Sequence, residues 1–399
     1  MMAAKPPHGL RDLPLDLVIV GGGIAGLWTL HRARAAGYSA ILLEKAELGS
    51  GQSMRAQGII HGGTKYTLGG TLTDAANAIA AMPGRWRACL EGSGEIDLTA
   101  AKRLSDATYL WSQGSFGAKM TTLFASRAMR SRVDKVGGDR PGAFADPRFS
   151  GALYRLDEFV LHLPSVFAAL VAQVGDAIFR VDASTLAFEQ DGDGIRIPLV
   201  EHGIALRPSR IVLTSGEGFE QFSRPLGLTQ PKLQRRPLHM VTLRHDRDLP
   251  IFGHCIGTQS TPLVTVTTHP SDDGRHVWYL GGGIAETGVE RGEATQIDAA
   301  RKLLADVLPW LAPIDGEWST FRIDRAEPLQ TGLVRPDHAF AEQVGACIVA
   351  WPTKLALAPD LADRILTLLP PPGTTPFDPT TLAFWPKPAI AKLPWDAAI

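Results

Sequence analysis

Apolar and polar positions change period several times along this chain, and each change marks an element. Residues 15–44 read LDLVIVGGGIAGLWTLHRARAAGYSAILLE: an apolar run of strand length, a glycine turn, an amphipathic helix, then a second apolar strand closed by an acid. That order is a βαβ unit. A Gly-rich passage covers residues 49–70, and an Ala-rich helix is predicted over 74–90. Residues 98–148 carry helix and loop signals. Helical spacing resumes downstream of Pro164 within 157–174, and residues 177–183 and 186–199 alternate as strands. Residues 210–218, RIVLTSGEG, form a β-branched strand ending in a glycine turn, which suits a return to the first sheet. Alternation in LVTVTTH and VWYLGG makes 238–280 β-rich. A helix is expected over 295–308. Residues 346–369 then give a strand, a PTK turn and a helix. The last thirty residues, Pro-rich with Trp385 and Trp395, suit an extended tail packed on the surface. No internal repeat is evident.

The glycines of the βαβ unit have separate physical uses. Gly21 permits the tight turn, Gly23 lets backbone approach a pyrophosphate, and Gly26 lets the helix pack against the strand. The phosphates then rest on the helix N-terminus, and Glu44 accepts from a ribose hydroxyl pair. The preceding strand, the following helix and an acid about twenty residues on lift this above a bare GxGxxG match.

Composition narrows the rest. A chain of 399 residues holds one large or two medium domains. A formal charge of −1 offers no electrostatic reason for a nucleic acid or an anionic membrane as partner. The basic residues Arg127, Arg130, Arg132 and Lys135 read as a solvated helix end. Cys89, Cys255 and Cys347 are too far apart for a CxxC pair and odd in number, so neither a disulfide framework nor a metal site is expected. The N-terminal residues lack a signal-peptide pattern, and no segment reaches membrane-span length. A cytoplasmic protein is expected, with peripheral membrane contact possible but not indicated.

By Tyr66 the chain resembles FAD-dependent oxidoreductases of the D-amino-acid oxidase superfamily, and more closely its glycerol-3-phosphate dehydrogenase branch. There the fingerprint is followed by a Ser/Arg-rich turn and an HGGxRY segment, similar to Ser53-Met54-Arg55 and His61-Gly62-Gly63-Thr64-Lys65-Tyr66 here. Val212-Leu213-Thr214-Ser215-Gly216 is similar to a VLAAG strand end, and Pro237-Leu238-His239-Met240-Val241 to a strand carrying a histidine. Leu280-Gly281-Gly282-Gly283 matches a small-residue strand end. Residues 322–328, RIDRAEP, resemble the branch's arginine-bearing segment, with Arg335 beyond. Residues 352–362, PTKLALAPDLA, resemble GGKLTTYRxLA. Lys65 stands where the branch has Arg, Trp351-Pro352 where it has Gly-Gly, and the dehydrogenases' large C-terminal extension has no counterpart.

The resemblance implies an α/β fold: a Rossmann-like FAD-binding domain (1–82, 155–218 and 318–369) interleaved with a β-sheet-rich substrate domain (83–154 and 219–317), then a tail from 370 to 399. The cofactor contacts it implies are Gly21, Gly23, Ile24, Ala25, Gly26, Glu44, Lys45, Ser53, Arg55, Gln57, Gly58, His61, Val181, Ser215, Gly216, Thr353, Lys354 and Leu355. Thr353 to Leu355 would open a helix, placing amides and the Lys354 ammonium at the flavin's pyrimidine edge, where positive potential favours the anionic reduced flavin. His239 is the candidate base and His61 a neighbour of the flavin. Lys65, Arg325 and Arg335 would clamp an anionic substrate group, with Tyr66 adding a hydroxyl. Arg235 and Arg236 read as solvated, and Asp324 and Glu327 as partners of nearby arginines.

The expected reaction passes a hydride to FAD from a small anionic hydroxy compound, a 2-hydroxy acid or a polyol phosphate such as glycerol 3-phosphate. Reoxidation by quinone, another acceptor or oxygen stays open. The alternatives are an amine or D-amino-acid oxidase of the glycine or sarcosine type, and a non-catalytic flavoprotein or partner subunit.

Overall fold

The computed structural model describes residues 9–63, 74–112, 133–192, 194–257, 261–329, 338–373 and 376–397. Lys65, Tyr66 and Arg335 lie outside them, as do Arg127, Arg130 and Arg132. The first strand, β1 (Arg11–Val20), ends in six buried residues. It pairs in parallel with β2 (Ala40–Glu44) on one side and with the Ile204–Leu213 strand on the other. Ile178–Arg180 extends the parallel sheet beyond β2, and Cys347–Trp351 extends it beyond Ile204–Leu213. Strands covered on both faces need continuous apolar sequence, and VIV, AILL and CIVAW supply it.

Helix α1 (Ile24–Ala35) is buried almost all round. The expected amphipathic face is absent because the Leu163–Val174 and Ala358–Thr367 helices both pack on it. Trp28 meets Trp86 with ring centroids 4.5 Å apart and donates its indole N–H to Glu95. Trp86 in turn donates to the carbonyl of Ala356. The helix over Asp74–Leu90 therefore belongs to the first core, so residues 83–98 pack with the nucleotide-binding part rather than the substrate domain.

A second, mostly antiparallel sheet runs in the order Glu317–Pro328, Leu233–His245, His276–Gly281, Val264–Pro270, Phe252–Cys255, Thr108–Ser112, Ala152–Leu156, Val133–Lys135. Its edge strand Glu317–Pro328 corrects the expectation that residues 318–328 sit in the first domain, while Cys347–Trp351 does lie in the first sheet. The Glu293–Val307 helix packs on this sheet, beside a core of Trp111, Phe144, Phe149, Trp278 and Trp310. A small sheet of Ile59–Ile60, Phe159–Leu161 and Arg103–Ser105 joins the two.

The tail is more than surface packing. Leu382, Ala391 and Leu393 are buried. The Leu48 N–H donates to the carbonyl of Ala389, and the Ala391 N–H to that of Leu48. Trp395 then lies against Tyr279 and His269 of the second sheet. Arg235 pairs with Glu220, and Arg236, expected to be solvated, reaches the buried Glu327 at 3.2 Å. Among the described residues no helix is long and apolar enough to cross a membrane.

Candidate active site

A cavity of about 860 Å³ opens between the two large sheets. One part of its wall is the βαβ turn, Gly21 to Ala25, with Glu44 and Lys45 at the end of β2. Gly21 sits at φ +112°, and a Cβ there would lie 2.7 Å from the Thr214 carbonyl oxygen. Gly26 is not on the wall. A Cβ on it would fall 2.0 Å from the Gly21 carbonyl oxygen, so its absence is what lets α1 approach the turn. Glu44 accepts from Gly22 N–H at 2.5 Å and from Ala46 N–H at 2.8 Å, which fixes its carboxylate beside the turn. Ser53 Oγ accepts from the Ile24 N–H at 3.0 Å. A helix N-terminus opening into a cavity with an acid alongside matches the donor and acceptor pattern of a dinucleotide's pyrophosphate and ribose.

Residues 53–61 continue the wall through Ser53, Arg55, Gln57, Gly58 and His61, and Ser215 and Gly216 close it beyond Thr214. Gln57 ties this segment to the second sheet, donating to the carbonyls of Tyr279 at 2.9 Å and Thr265 at 3.2 Å. Tyr279 donates its hydroxyl to the Arg55 carbonyl at 2.5 Å, and full burial raises that hydroxyl's pKa. Val181 is not on the wall. Its N–H donates to the Glu44 carbonyl, behind the cavity.

The strand Cys347–Trp351 delivers Thr353, Lys354 and Leu355 to the wall. Thr353 is left-handed at φ +60°, and the Lys354 N–H turns back to the Pro352 carbonyl at 2.7 Å. The helical turn thus opens at Leu355, two residues later than expected, and continues into Ala358–Thr367. Its N-terminal end still faces the cavity, so the two helix starts bring partial positive charge to separate parts of one wall.

His239 is displaced from its expected place. Its neighbours Leu238 and Met240 line the cavity, so strand alternation sends the imidazole to the opposite face. There Nδ1 meets the Gly288 carbonyl at 3.0 Å and Nε2 meets Thr320 Oγ1 at 2.9 Å, with the residue 2% exposed. Its cross-strand partner Arg322 shares that face, bonding the Val289 and Arg291 carbonyls. Ile323 and Arg325, one step to either side of Asp324, face the cavity. Arg325 Nη2 lies 3.7 Å from Glu286 Oε1, which also lines it.

His61 takes the position in the cavity that His239 lacks. Ile60 pairs with Phe159, so the next step of the ladder sets His61 opposite Glu158. His61 Nδ1 is 3.0 Å from Glu158 Oε2, and Glu158 Oε1 accepts from the Gly62 N–H at 3.1 Å. Glu158 is 1% exposed. His254, fully buried, stacks near His61 with centroids 6.0 Å apart. Glu158, His254 and Glu286 carry no local sequence signal, because strand pairing and chain crossing bring them here. Burial pushes the neighbouring Cys255 thiol up to about 12, which leaves it un-ionised and unreactive.

The fold and this cavity define a flavin-dependent oxidoreductase, and the chain belongs to the FAD dependent oxidoreductase family, whose profile matches residues 16–341. It is 48% identical over 393 residues to the FAD-dependent oxidoreductase PA4991 of Pseudomonas aeruginosa, covering 97% of this chain and 99% of that one. The crystal structure of PA4991 matches with a TM-score of 0.80 at 42% identity, over 96% of this chain and 98% of that one. The aerobic glycerol-3-phosphate dehydrogenase of Staphylococcus saprophyticus is 31% identical over 107 residues, which is 27% of this chain and 18% of that one. Glycine oxidase from Geobacillus kaustophilus shares the fold, with a TM-score of 0.65 at 16% identity over 92% of this chain and 96% of that one.

Proposed function

We propose that this oxidoreductase oxidises a small anionic hydroxy compound, with a 2-hydroxy carboxylate as the best match to the cavity. The observation that carries the reading is His61 on the cavity wall with the buried Glu158 behind it. Oxidising an alcohol carbon requires the hydroxyl proton to leave as the hydride leaves, and an imidazole titrating near neutrality takes that proton. The carboxylate at Nδ1 orients the ring and stabilises the imidazolium that forms.

Arg325 holds the substrate's anionic group through its planar fork. The amides at the start of α1, with Glu44 and Ser53, would hold the dinucleotide end of FAD, and Thr353, Lys354 and Leu355 would serve its flavin end. FAD, when bound, supplies the two-electron hydride acceptor. Lys65, Tyr66 and Arg335 complete the clamp in this proposal.

One observation favours a second reading. Glu286 beside Arg325 offers an ammonium partner next to a carboxylate partner, the pattern of an amino acid. Anaerobic addition of lactate, 2-hydroxyglutarate, glycerol 3-phosphate, glycine, sarcosine and D-alanine to the holoenzyme, followed at the flavin absorption band, separates the two. Bleaching by a hydroxy compound supports the first reading, and bleaching by amines alone replaces it with the second.

A further inference from the structure

We infer that Glu158 and His254 are positioning residues for His61, the three side chains forming a unit at the cavity wall that fixes the His61 tautomer and takes up a single further proton. The inference rests on His61 being the proton acceptor and adds what sets its proton affinity. The three arrive from separate places: His61 follows the Ile59–Ile60 strand, Glu158 joins the Ala152–Leu156 and Phe159–Leu161 strands, and His254 lies within Phe252–Cys255. One donor or acceptor atom from each lies within 4.8 Å of the other two.

The geometry orders the protons. With Glu158 ionised, its Oε2 at 3.0 Å from His61 Nδ1 places the proton on Nδ1, because a carboxylate only accepts. His254 Nδ1 is 2.7 Å from Thr265 Oγ1, its cross-strand partner, so that hydroxyl anchors the His254 ring. Two imidazolium rings 6.0 Å apart, one of them fully buried, repel each other, whereas one imidazolium is balanced by the Glu158 carboxylate. Among the described residues, ionisable groups that line the same cavity include Arg55, Glu286, Arg325 and Lys354. Arg87 and Asp157 pair with each other on the outer side of Glu158. Glu158 also holds the Gly62 N–H, so the same carboxylate fixes both the ring and the turn that carries it.

The test is ¹⁵N-histidine NMR of the holoenzyme over a pH series, which needs no substrate. In the wild type His61 shows a single neutral tautomer protonated at Nδ1. In Glu158→Gln that tautomer becomes mixed and the His61 midpoint falls by about one pH unit, a tenfold loss of proton affinity. Thr265→Val is the second variant: it removes the hydroxyl that anchors His254 and moves the His61 midpoint while leaving Glu158 in place. An unchanged His61 midpoint in Glu158→Gln overturns the inference. An unchanged midpoint in Thr265→Val removes His254 from it. Chelator-sensitive shifts of both rings would show a bound zinc ion in place of the shared proton and overturn it as well. The proposed reaction fails separately, when no hydroxy compound bleaches the flavin although the histidine signals behave as expected.

Discussion

His239 and Thr320 meet diagonally across two antiparallel strands, Nε2 to Oγ1 at 2.9 Å, on the side of the sheet away from the cavity. With Gly288 at the other nitrogen, the ring has two partners and no route to the substrate. His239→Ala should therefore lower stability by about 2–4 kcal/mol, through a buried void and two orphaned partners. The rate of flavin reduction should stay within about twofold of wild type, a factor worth only ~0.4 kcal/mol in the barrier. Urea unfolding and stopped-flow reduction of the same preparation check the two halves. A collapse of the reduction rate would return His239 to the chemistry.

Gly26 and Gly21 make the closest approach in the nucleotide turn. Gly26→Ala must push α1 off that turn, because the obstacle is backbone and cannot rotate aside. Equilibrium dialysis should show FAD affinity at least ten-fold weaker, about 1.4 kcal/mol or more. Gly84→Ala is the control: its Cβ meets open space in the Asp74–Leu90 helix, so affinity holds and stability rises by about 0.4–1 kcal/mol. Equal FAD affinity in both variants would contradict the turn's proposed role.

Leu48 links the tail to the nucleotide pocket. It exchanges backbone hydrogen bonds with Ala389 and Ala391, and a Cβ on Gly22 would sit 2.5 Å from Leu48 Cδ2. Beyond it, Asp396 accepts from Ser271 Oγ at 2.6 Å while Trp395 packs on Tyr279. Deleting residues 386–399 should lower the temperature of FAD release, read by flavin fluorescence, more than Trp395→Ala does. Release at the wild-type temperature would reduce the tail to packing alone.

Two buried histidines give stability an acid dependence. Burial, reinforced by His276, lowers His245 to about 4, and burial with His162 lowers His269 to about 3, against an ordinary 6.5. The unfolded chain therefore takes up these protons before the folded one. Stability should be unaffected by these groups above pH 6.5 and fall below it, down to about 4 for His245 and about 3 for His269. The slope approaches ~1.4 kcal/mol per pH unit for each group. His245→Phe, against Trp278, should flatten the urea-midpoint profile between pH 6 and 4. An unchanged slope would assign acid sensitivity elsewhere.

How much of this was legible in sequence depended on whether the signal was local. The βαβ unit from β1 to β2 carries its own periods and punctuation, and the Asp74–Leu90 helix was readable from alanine content alone. At residues 237–241 the alternation was visible, but not which face met the cavity. A motif match therefore chose His239 over its neighbours Leu238 and Met240. Glu158 and His254 became neighbours of His61 only through the register of three separate strand pairs. The all-round burial of α1 likewise depends on helices more than a hundred residues away.

The central claim is that His61, not His239, takes the substrate proton. Its most direct measurement is the anaerobic rate of flavin reduction by whichever hydroxy compound bleaches the wild type, compared in His61→Asn and His239→Asn holoenzymes. The account predicts at least a hundredfold loss, about 2.7 kcal/mol or more, in His61→Asn and a near wild-type rate in His239→Asn. The reverse ranking, or equal rates in both, would contradict it.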